Sequence, residues 1–319
     1  MRNLLTKIGF ALAFTTLLAF SATAQNKLRT AVNYDTDNKA DFAVFRPSNN
    51  VWYILKSAGG FTFQQFGSNT EDYMVPGDYD GDGKGDIAVW RDTNGAWYYL
   101  RSSDGAFVGA LFGTTGDEPV ARDFDGDGKT DLSVVRRTGG SMIWYRLNSM
   151  GGAFVANQFG LSTDFTAPGD YDGDGKFDLA VQRPSANNGQ AIFYIQRSTN
   201  NAIDAVFWGN SNDTVVPGDY DGDGKTDVAI VQEGATLNSP LIWGILRSSN
   251  GTADVSGFGL TGSDLNTQND YDGDGKCDIA VWRDSNGVFY YRSSANANAL
   301  TSVTWGSPND FPIASYDSH

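Results

Sequence analysis

A nine-residue acidic segment repeats along the chain and constrains its fold more than any other feature. The spacing between successive copies is 45 to 51 residues. Internal repeats of about 20 to 50 residues are typical of chains built from one structural unit used several times. The pattern DxDGDGKxD starts at Asp78, Asp123, Asp170, Asp219 and Asp270, and a degraded copy, NYDTDNKAD, starts at Asn33.

The same series of segments follows each acidic segment. In the second repeat it consists of IAVWR (87–91), AWYYL (96–100), the pair Phe112-Gly113 and then Asp117. Short runs rich in β-branched and aromatic residues, divided by Gly, Asn, Asp and Ser, indicate β-strands. The chain after residue 24 shows no sustained helical periodicity. Each repeat therefore predicts a unit of four strands.

This repeat predicts an all-β fold, a β-propeller of four-stranded antiparallel blades. A four-stranded unit of this length cannot cover both of its faces alone, whereas several units packed around an axis can. Six complete units predict six blades, with seven as the alternative. The segment before the acidic loop occurs seven times, from LRTAVNYD to FPIASYD. One terminal copy is therefore expected to pair beside the other end of the chain, within a single domain over residues 25–319.

The first 24 residues have the features of a secretory signal peptide. Arg2 and Lys7 precede an apolar run over 8–20, which is shorter than a membrane-spanning helix needs, and small residues follow. Cleavage would change the net charge from −15 to −17. This charge argues against nucleic acid as a partner. We expect a secreted monomer in the periplasm, at the cell surface or outside the cell, with no membrane span and, since Cys277 is the sole cysteine, no internal disulfide.

Carboxylates at positions 1, 3, 5 and 9 of the acidic loop, with Gly at position 6, predict a calcium site. With the backbone carbonyl of position 7 they reach the six or more hard oxygens that Ca²⁺ prefers. The lysine side chain at position 7 is then expected to point into solvent. An EF-hand is excluded because position 12 is apolar, as at Val89, where that motif needs Glu. A solvated acidic turn is the alternative, but it would leave four like charges together in five separate loops.

Six calcium sites are predicted, five strong and one weaker. The first loop should bind most weakly because Asn33 replaces the first aspartate and Asn38 replaces the glycine. The predicted ligands, with each lysine contributing its carbonyl, are Asn33, Asp35, Asp37, Lys39 and Asp41; Asp78, Asp80, Asp82, Lys84 and Asp86; Asp123, Asp125, Asp127, Lys129 and Asp131; Asp170, Asp172, Asp174, Lys176 and Asp178; Asp219, Asp221, Asp223, Lys225 and Asp227; and Asp270, Asp272, Asp274, Lys276 and Asp278.

The order aromatic-glycine, Pro-Gly, DxDxDGxxD and apolar strand resembles the FG-GAP repeat and its bacterial VCBS-type relatives, of which the integrin α-subunit propeller is the best-known member. The resemblance covers nearly all of residues 28–317. It implies a calcium-stabilised propeller with the ion in the turn between the first two strands of each blade. The chain departs from integrins in having six full units rather than seven blades, so integrin partnership is not carried over.

Enzymatic chemistry finds little support in the sequence. The sole histidine is His319, which excludes His-based triads and zinc sites of that kind. No spare pair of carboxylates is marked by its position. We therefore expect a non-enzymatic binding or adhesion module for an extracellular protein or glycan. The alternatives are a propeller-type polysaccharide lyase or glycosidase and a purely structural component of the envelope or matrix.

Departures from the repeat are the expected place of individual function. The segments 136–142, 184–191 and 232–240 differ most from their counterparts and are predicted to form a recognition surface on one side of the ring. The tryptophans fall at repeat-equivalent positions, which favours packing over sugar stacking. The recurring arginines are expected to pair with acids or carbonyls between blades, with an anion-binding ring as the alternative.

Overall fold

The computed structural model describes residues 32–68, 70–185 and 189–314. The predicted signal peptide lies outside these ranges. Apart from one 3₁₀ turn, Ser294–Asn296, the regular structure consists of strands. These are β1 (Phe42–Arg46), β2 (Val51–Leu55), β3 (Phe61–Gln65), β4 (Asp72–Met74), β5 (Ile87–Arg91), β6 (Ala96–Leu100), β7 (Phe107–Leu111), β8 (Glu118–Pro119), β9 (Leu132–Thr138), β10 (Ser141–Leu147), β11 (Phe154–Leu161), β12 (Phe165–Thr166), β13 (Leu179–Arg183), β14 (Gln190–Gln196), β15 (Ile203–Asn210), β16 (Thr214–Val215), β17 (Val228–Gln232), β18 (Pro240–Leu246), β19 (Ala253–Leu260), β20 (Asp264–Asn266), β21 (Ile279–Arg283), β22 (Val288–Ser293), β23 (Ala299–Thr304) and β24 (Phe311–Ile313).

The strands form six antiparallel sheets of four, which are the six blades of a propeller. Blades two to six use consecutive strands, from β4–β7 to β20–β23. The first blade has the order β24-β1-β2-β3, so the C-terminal strand supplies its innermost position. The prediction of six blades closed by a terminal copy is confirmed. The seventh copy completes the first blade and does not start another.

The acidic loops form a second closed ring on one face. In blades two to six the loop joins the first and second strands, and in the first blade it leads into β1, the second strand. The carbonyl at position 1 of each loop accepts a hydrogen bond from the amide at position 8 of the next loop. These six bonds measure 2.6 to 2.9 Å, and the bond from Ala40 to Asp270 joins the first blade to the sixth. Neighbouring loops are therefore held in register with one another as well as with their own blades.

The hydrophobic core lies between adjacent blades. Second strands are buried on both faces, as in the run Ala43, Val44, Phe45. Trp52, Trp90, Trp97, Trp144, Trp243 and Trp282 are fully buried. Their indole N–H groups, and those of Trp208 and Trp305, donate to backbone carbonyls. The eight tryptophans thus pack the blades together, as expected.

Across the described residues, no helix is both long and apolar enough to cross a membrane.

The recurring arginines pair with acids, but within a blade rather than between blades. Arg91 and Asp72 face each other in the register of β5 and β4, and Arg91 Nε donates to Asp72 Oδ1 at 2.7 Å. The guanidinium also covers the Tyr98 ring, 5.1 Å from its centroid. The expectation of inter-blade pairing was wrong because the post-glycine aspartate begins the inner strand of the same sheet. Equivalent pairs are Arg46–Asp310, Arg136–Asp117, Arg183–Asp164 and Arg283–Asp264.

The fifth blade offers a test of these ion pairs. Gln232 stands where the other blades have arginine. Asp213 stands at the position of the aspartate that pairs with that arginine elsewhere, and burial raises its pKa. We expect Gln232→Arg to raise the free energy of unfolding by about 1 kcal/mol, because it supplies the missing countercharge. The reciprocal change, Arg91→Gln, should lower it by about 2 kcal/mol by leaving Asp72 buried without its cation. Guanidinium denaturation at saturating calcium measures both, and changes of equal sign would contradict this account.

Candidate metal centre

The second acidic loop shows how the repeat folds locally. The Asp78 carboxylate accepts hydrogen bonds from the amides of Gly81 and Gly83, at 2.6 and 2.8 Å. Both glycines have positive φ, 82° and 88°, which favours a residue without a side chain. Asp86 at position 9 accepts the Tyr79 amide at 2.9 Å and so closes the loop. The alternating carboxylates thereby turn toward one centre.

Carboxylate oxygens from three aspartates in a loop lie within 4.8 Å of one another. In the second, fourth and fifth loops these are positions 1, 3 and 9; in the first they are positions 3, 5 and 9, and in the third positions 1, 3 and 5. The structure thus brings together three of the predicted side-chain ligands in each of these loops, whereas position 5 of the second, fourth and fifth loops and position 9 of the third are not among them. Five of the six such groups are Asp35, Asp37 and Asp41; Asp78, Asp80 and Asp86; Asp123, Asp125 and Asp127; Asp170, Asp172 and Asp178; and Asp219, Asp221 and Asp227.

A serine that the sequence reasoning missed completes every loop. It lies in the turn between the third and fourth strands; in the second blade its amide donates to Asp86 at 2.6 Å and its hydroxyl to Asp82 at 2.9 Å. The sequence feature that could have revealed it is a serine just after the third strand in all six repeats. The serines are Ser57, Ser102, Ser149, Ser198, Ser248 and Ser294. Each blade therefore fixes its acidic loop from two turns.

The lysine side chains differ from expectation. They lie along the neighbouring loop instead of extending into solvent: a Cβ built on Gly81 would lie 2.7 Å from Lys129 Cε. The same contact joins Gly126 to Lys176 and Gly173 to Lys225. Glycine at position 4 is thus needed both for its positive φ and for this close approach. Lys84 Nζ also lies 3.9 Å from Asp82 Oδ2 of its own loop.

Burial shifts the titration of the closing aspartates. It raises the pKa of Asp86 to about 6, although the amides of Ser102 and Tyr79 lower it in part. It also raises the pKa of Asp278 to about 7. A raised pKa means that the ionised carboxylate is disfavoured where it lies. A bound cation would offset this cost, so the donor set and its electrostatics both fit a divalent ion.

The first loop keeps the same shape with different residues. Asn33 Oδ1 accepts the Thr36 amide at 2.9 Å, as Asp78 accepts that of Gly81. Asn38 takes the left-handed conformation, φ 64°, as expected for an asparagine in the place of the glycine. Thr36 also has a positive φ of 73°, which is unusual for a β-branched residue. The loop thus has one negative charge fewer and carries backbone strain.

We expect Thr36→Gly to raise the free energy of unfolding by about 1 kcal/mol, because it relieves the left-handed strain. The converse change, Gly81→Thr, should lower it by at least as much, since the new Cβ would also meet Lys129. Urea denaturation at saturating calcium gives both values. A destabilising Thr36→Gly would show that the threonine side chain contributes more than the strain costs.

Comparisons with known proteins agree with this architecture. The family model described as FG-GAP-like repeat matches residues 33–89 and 123–181, and each match spans two acidic loops. No curated protein matches the sequence.

Solved structures that are similar to the chain share little sequence identity with it. A catalytically inactive variant of virginiamycin B lyase from Staphylococcus aureus, with quinupristin, is 11% identical at a TM-score of 0.52, covering 90% of this chain and 86% of that one. A mutant of AofleA from Arthrobotrys oligospora is 10% identical at a TM-score of 0.49, covering 91% of this chain and 90% of that one. Regucalcin from Agrobacterium tumefaciens, a calcium-binding protein, is 10% identical at a TM-score of 0.38, covering 74% of this chain and 75% of that one. The chain thus carries FG-GAP-like repeats and folds as a six-bladed β-propeller.

Proposed function

We propose that the six acidic loops bind Ca²⁺ and that the resulting rigid propeller is a secreted, non-enzymatic binding module for an extracellular protein or glycan. The observation that carries the calcium assignment is the convergence of carboxylate oxygens within 4.8 Å in five of the loops. Ca²⁺ prefers six to eight hard oxygen donors, and the remaining ligands of each loop, including the carbonyl at position 7, would add to these three. The residues that would hold it are those at positions 1, 3, 5, 7 and 9.

The donors around the buried closing aspartates support this assignment. Asp86, Asp131 and Asp178 each accept hydrogen bonds from two backbone amides, one of them a serine amide. In contrast, Asp72 and Asp264 outside the loops pair with arginines. An arginine completes the charge balance of its partner without a metal. In the loops, a bound divalent cation would supply the corresponding positive charge.

The acids outside the loops support a non-enzymatic role. Glycoside cleavage by the usual mechanism needs a pair of carboxyl groups facing the substrate. Glu118 pairs with Arg137, and Asp92 and Asp284 accept the amides of Gly116 and Asn309. Further pairs are Asp104 with Arg101, Asp204 with Arg197 and Asp254 with Arg247. Most carboxylates outside the loops are therefore engaged in ion pairs or hydrogen bonds within the protein, whereas a hydrolase would need two of them to face a substrate.

The binding surface that we favour is the face opposite the acidic loops. The segments 136–142, 184–191 and 232–240 lie between the second and third strands of three consecutive blades, the third, fourth and fifth. Residues 186–188 of the second segment lie outside the described residues. Leu237 near the tip of the last hairpin is 75% exposed. Within the first segment, Arg136 and Met142 serve the blade itself, through Asp117 and through burial. Recognition would use the residues between them.

A glycan array and a pull-down from envelope extract, each run with calcium and with EGTA, test the proposal. Deleting 233–239 should reduce binding to any array hit at least tenfold and change the melting temperature little, since this hairpin lies outside the strands. A matched deletion in the short hairpin 93–94 of the second blade should leave binding unchanged. Equal binding by both variants would contradict the assignment of this face.

A further inference from the structure

The junction between the third and fourth blades departs from the repeat at two facing positions. Arg146 in β10 stands where the other blades have Ile54, Tyr99, Ile195, Ile245 and Tyr291. Gln196 in β14 stands where four blades have leucine. At other junctions apolar side chains at these positions contribute to the contact between neighbouring blades, as Ile54 and Ile195 do, although Arg292 replaces the leucine in the sixth blade. Here two polar side chains replace them.

These replacements open a polar cleft beside the third acidic loop. The cleft has a volume of about 210 Å³ and opens to solvent. Its walls come from both blades, and the side chains used in the argument below are Asp125, Arg146, Asn148, Asn157, Lys176 and Arg197.

Two buried polar atoms at this cleft have no hydrogen-bond partner. Arg146 Nη2 donates to Asn157 Oδ1 at 2.6 Å, and the guanidinium lies over the Phe124 ring, 5.1 Å from its centroid. Arg146 Nε has no such partner, and neither has Asn148 Oδ1. Buried polar groups without partners are rare and cost about 1–3 kcal/mol each. The Arg146 guanidinium and the Asn148 amide, which both line the cleft, thus have unused hydrogen-bonding capacity.

The charges around the cleft favour an anion once calcium is bound. Burial lowers the pKa of the Arg146 guanidinium, and the carboxylates of Asp131 and Asp125 oppose this effect; a guanidinium in a protein stays charged. Lys176 adds a second cation at the wall, whereas Arg197 is paired with Asp204 at 2.6 Å. Calcium in the third loop would bind Asp125 and offset two of the four negative charges of that loop. Arg146 and Lys176 would then be the positive side chains nearest to a ligand in the cleft.

We propose that this cleft binds a small hydroxy-carboxylate, the chemical class to which uronic acid residues of acidic glycans belong. The ligand carboxylate would accept from the Arg146 guanidinium with Lys176 nearby, and a ligand hydroxyl would bond to the Asn148 amide, once these two side chains turn toward the cleft. The site lies on the acidic-loop face and is separate from the hairpin surface. The inference rests on the proposed function, because calcium in the third loop sets the charge of the cleft.

Calorimetric titration of the calcium-loaded full chain with glucuronate tests the site. We expect one ligand per chain and at least a tenfold loss of affinity in Arg146→Ile, which installs the residue found at this position in three other blades. Arg292→Leu is the matched control: this arginine also has a buried Nε without a partner but lies outside the cleft, so it should bind as the wild type does. Glucose and sulfate are titrated as the neutral and inorganic probes.

The outcomes separate this inference from the proposed function. Glucuronate binding that Arg146→Ile does not change, or no glucuronate binding by a chain with normal calcium stoichiometry, would overturn the cleft assignment alone. Sulfate binding as tight as glucuronate binding would overturn the hydroxy-carboxylate class. A chain that binds no calcium would overturn both proposals. Should Arg146→Ile fail to fold, Lys176→Gln at the wall is expected to weaken glucuronate binding about threefold, and unchanged binding would count against the site.

Discussion

Chelation of calcium is expected to lower the melting temperature of this protein by more than about 15 °C. A site held at one hundred times its dissociation constant contributes about 2.7 kcal/mol. In a domain of this size roughly 1 kcal/mol corresponds to 2–4 °C. The loss of only three of the six proposed sites would therefore give a shift of this size. Because the loops are also bonded to one another in a ring, their order should be lost cooperatively.

Differential scanning calorimetry with excess calcium and with EGTA measures the shift, and atomic emission on dialysed protein gives the number of ions. We expect between five and six ions per chain, with the first loop filled last. Asp86→Asn should remove one ion and part of the shift, whereas Asp284→Asn, outside the loops, should change neither. Melting curves that do not respond to EGTA would overturn the calcium assignment.

The propeller itself could be predicted from the sequence because its repeat is visible at every level. The acidic loop, the apolar strand after it and the aromatic-glycine pair recur in a fixed order, so strand number and loop positions follow from one unit. The closing strand β24 was expected from the seventh copy, but the sequence could not say which end would supply it. Both ends carry the same segment, and only the pairing of β24 with β1 decides.

Contacts between side chains from different segments were harder to predict. The serine at each loop was missed because a lone serine in a turn is common and its partner lies 16 to 21 residues earlier in the chain. The arginine pairs were placed between blades because the sequence gives no register. Asp72 and Arg91 are 19 residues apart and meet only when β4 and β5 align.

In the third blade, two departures from the repeat compensate for each other. Tyr79 at position 2 of its loop donates its hydroxyl to the Val75 carbonyl at 2.7 Å. Phe124, at the same position of the third loop, has no hydroxyl, and the equivalent carbonyl of Val120 accepts from Ser133 Oγ instead. In the other blades the position of Ser133 is alanine. Ser133 thus supplies the hydroxyl donor that Phe124 lacks. The sequence alone does not reveal this compensation, because the two residues lie in different segments of the blade.

Without calcium, the protein is expected to become more stable as the pH falls from 7.5 to 5. Burial raises the pKa of Asp86, Asp131, Asp178 and Asp227 to about 6, and that of Asp278 to about 7, whereas an unfolded aspartate titrates near 3.9. Between these values the folded state binds more protons than the unfolded state. The stability that these groups contribute is therefore fully present below about pH 4, and it is lost as the pH rises through 6 to 7.

With saturating calcium the slope should reverse, because protons then compete with the metal for the same carboxylates. Melting temperatures between pH 5 and 7.5 are expected to fall by roughly 5–10 °C toward high pH in EGTA, and to rise toward high pH in calcium. Asp278→Asn should flatten the slope in EGTA because it removes a titrating group, whereas Asp92→Asn should not. Parallel slopes in the two buffers would mean that the buried carboxylates are balanced by protein groups alone. The opposite signs follow from one cause, since a proton and a calcium ion relieve the same buried negative charge and cannot do so together.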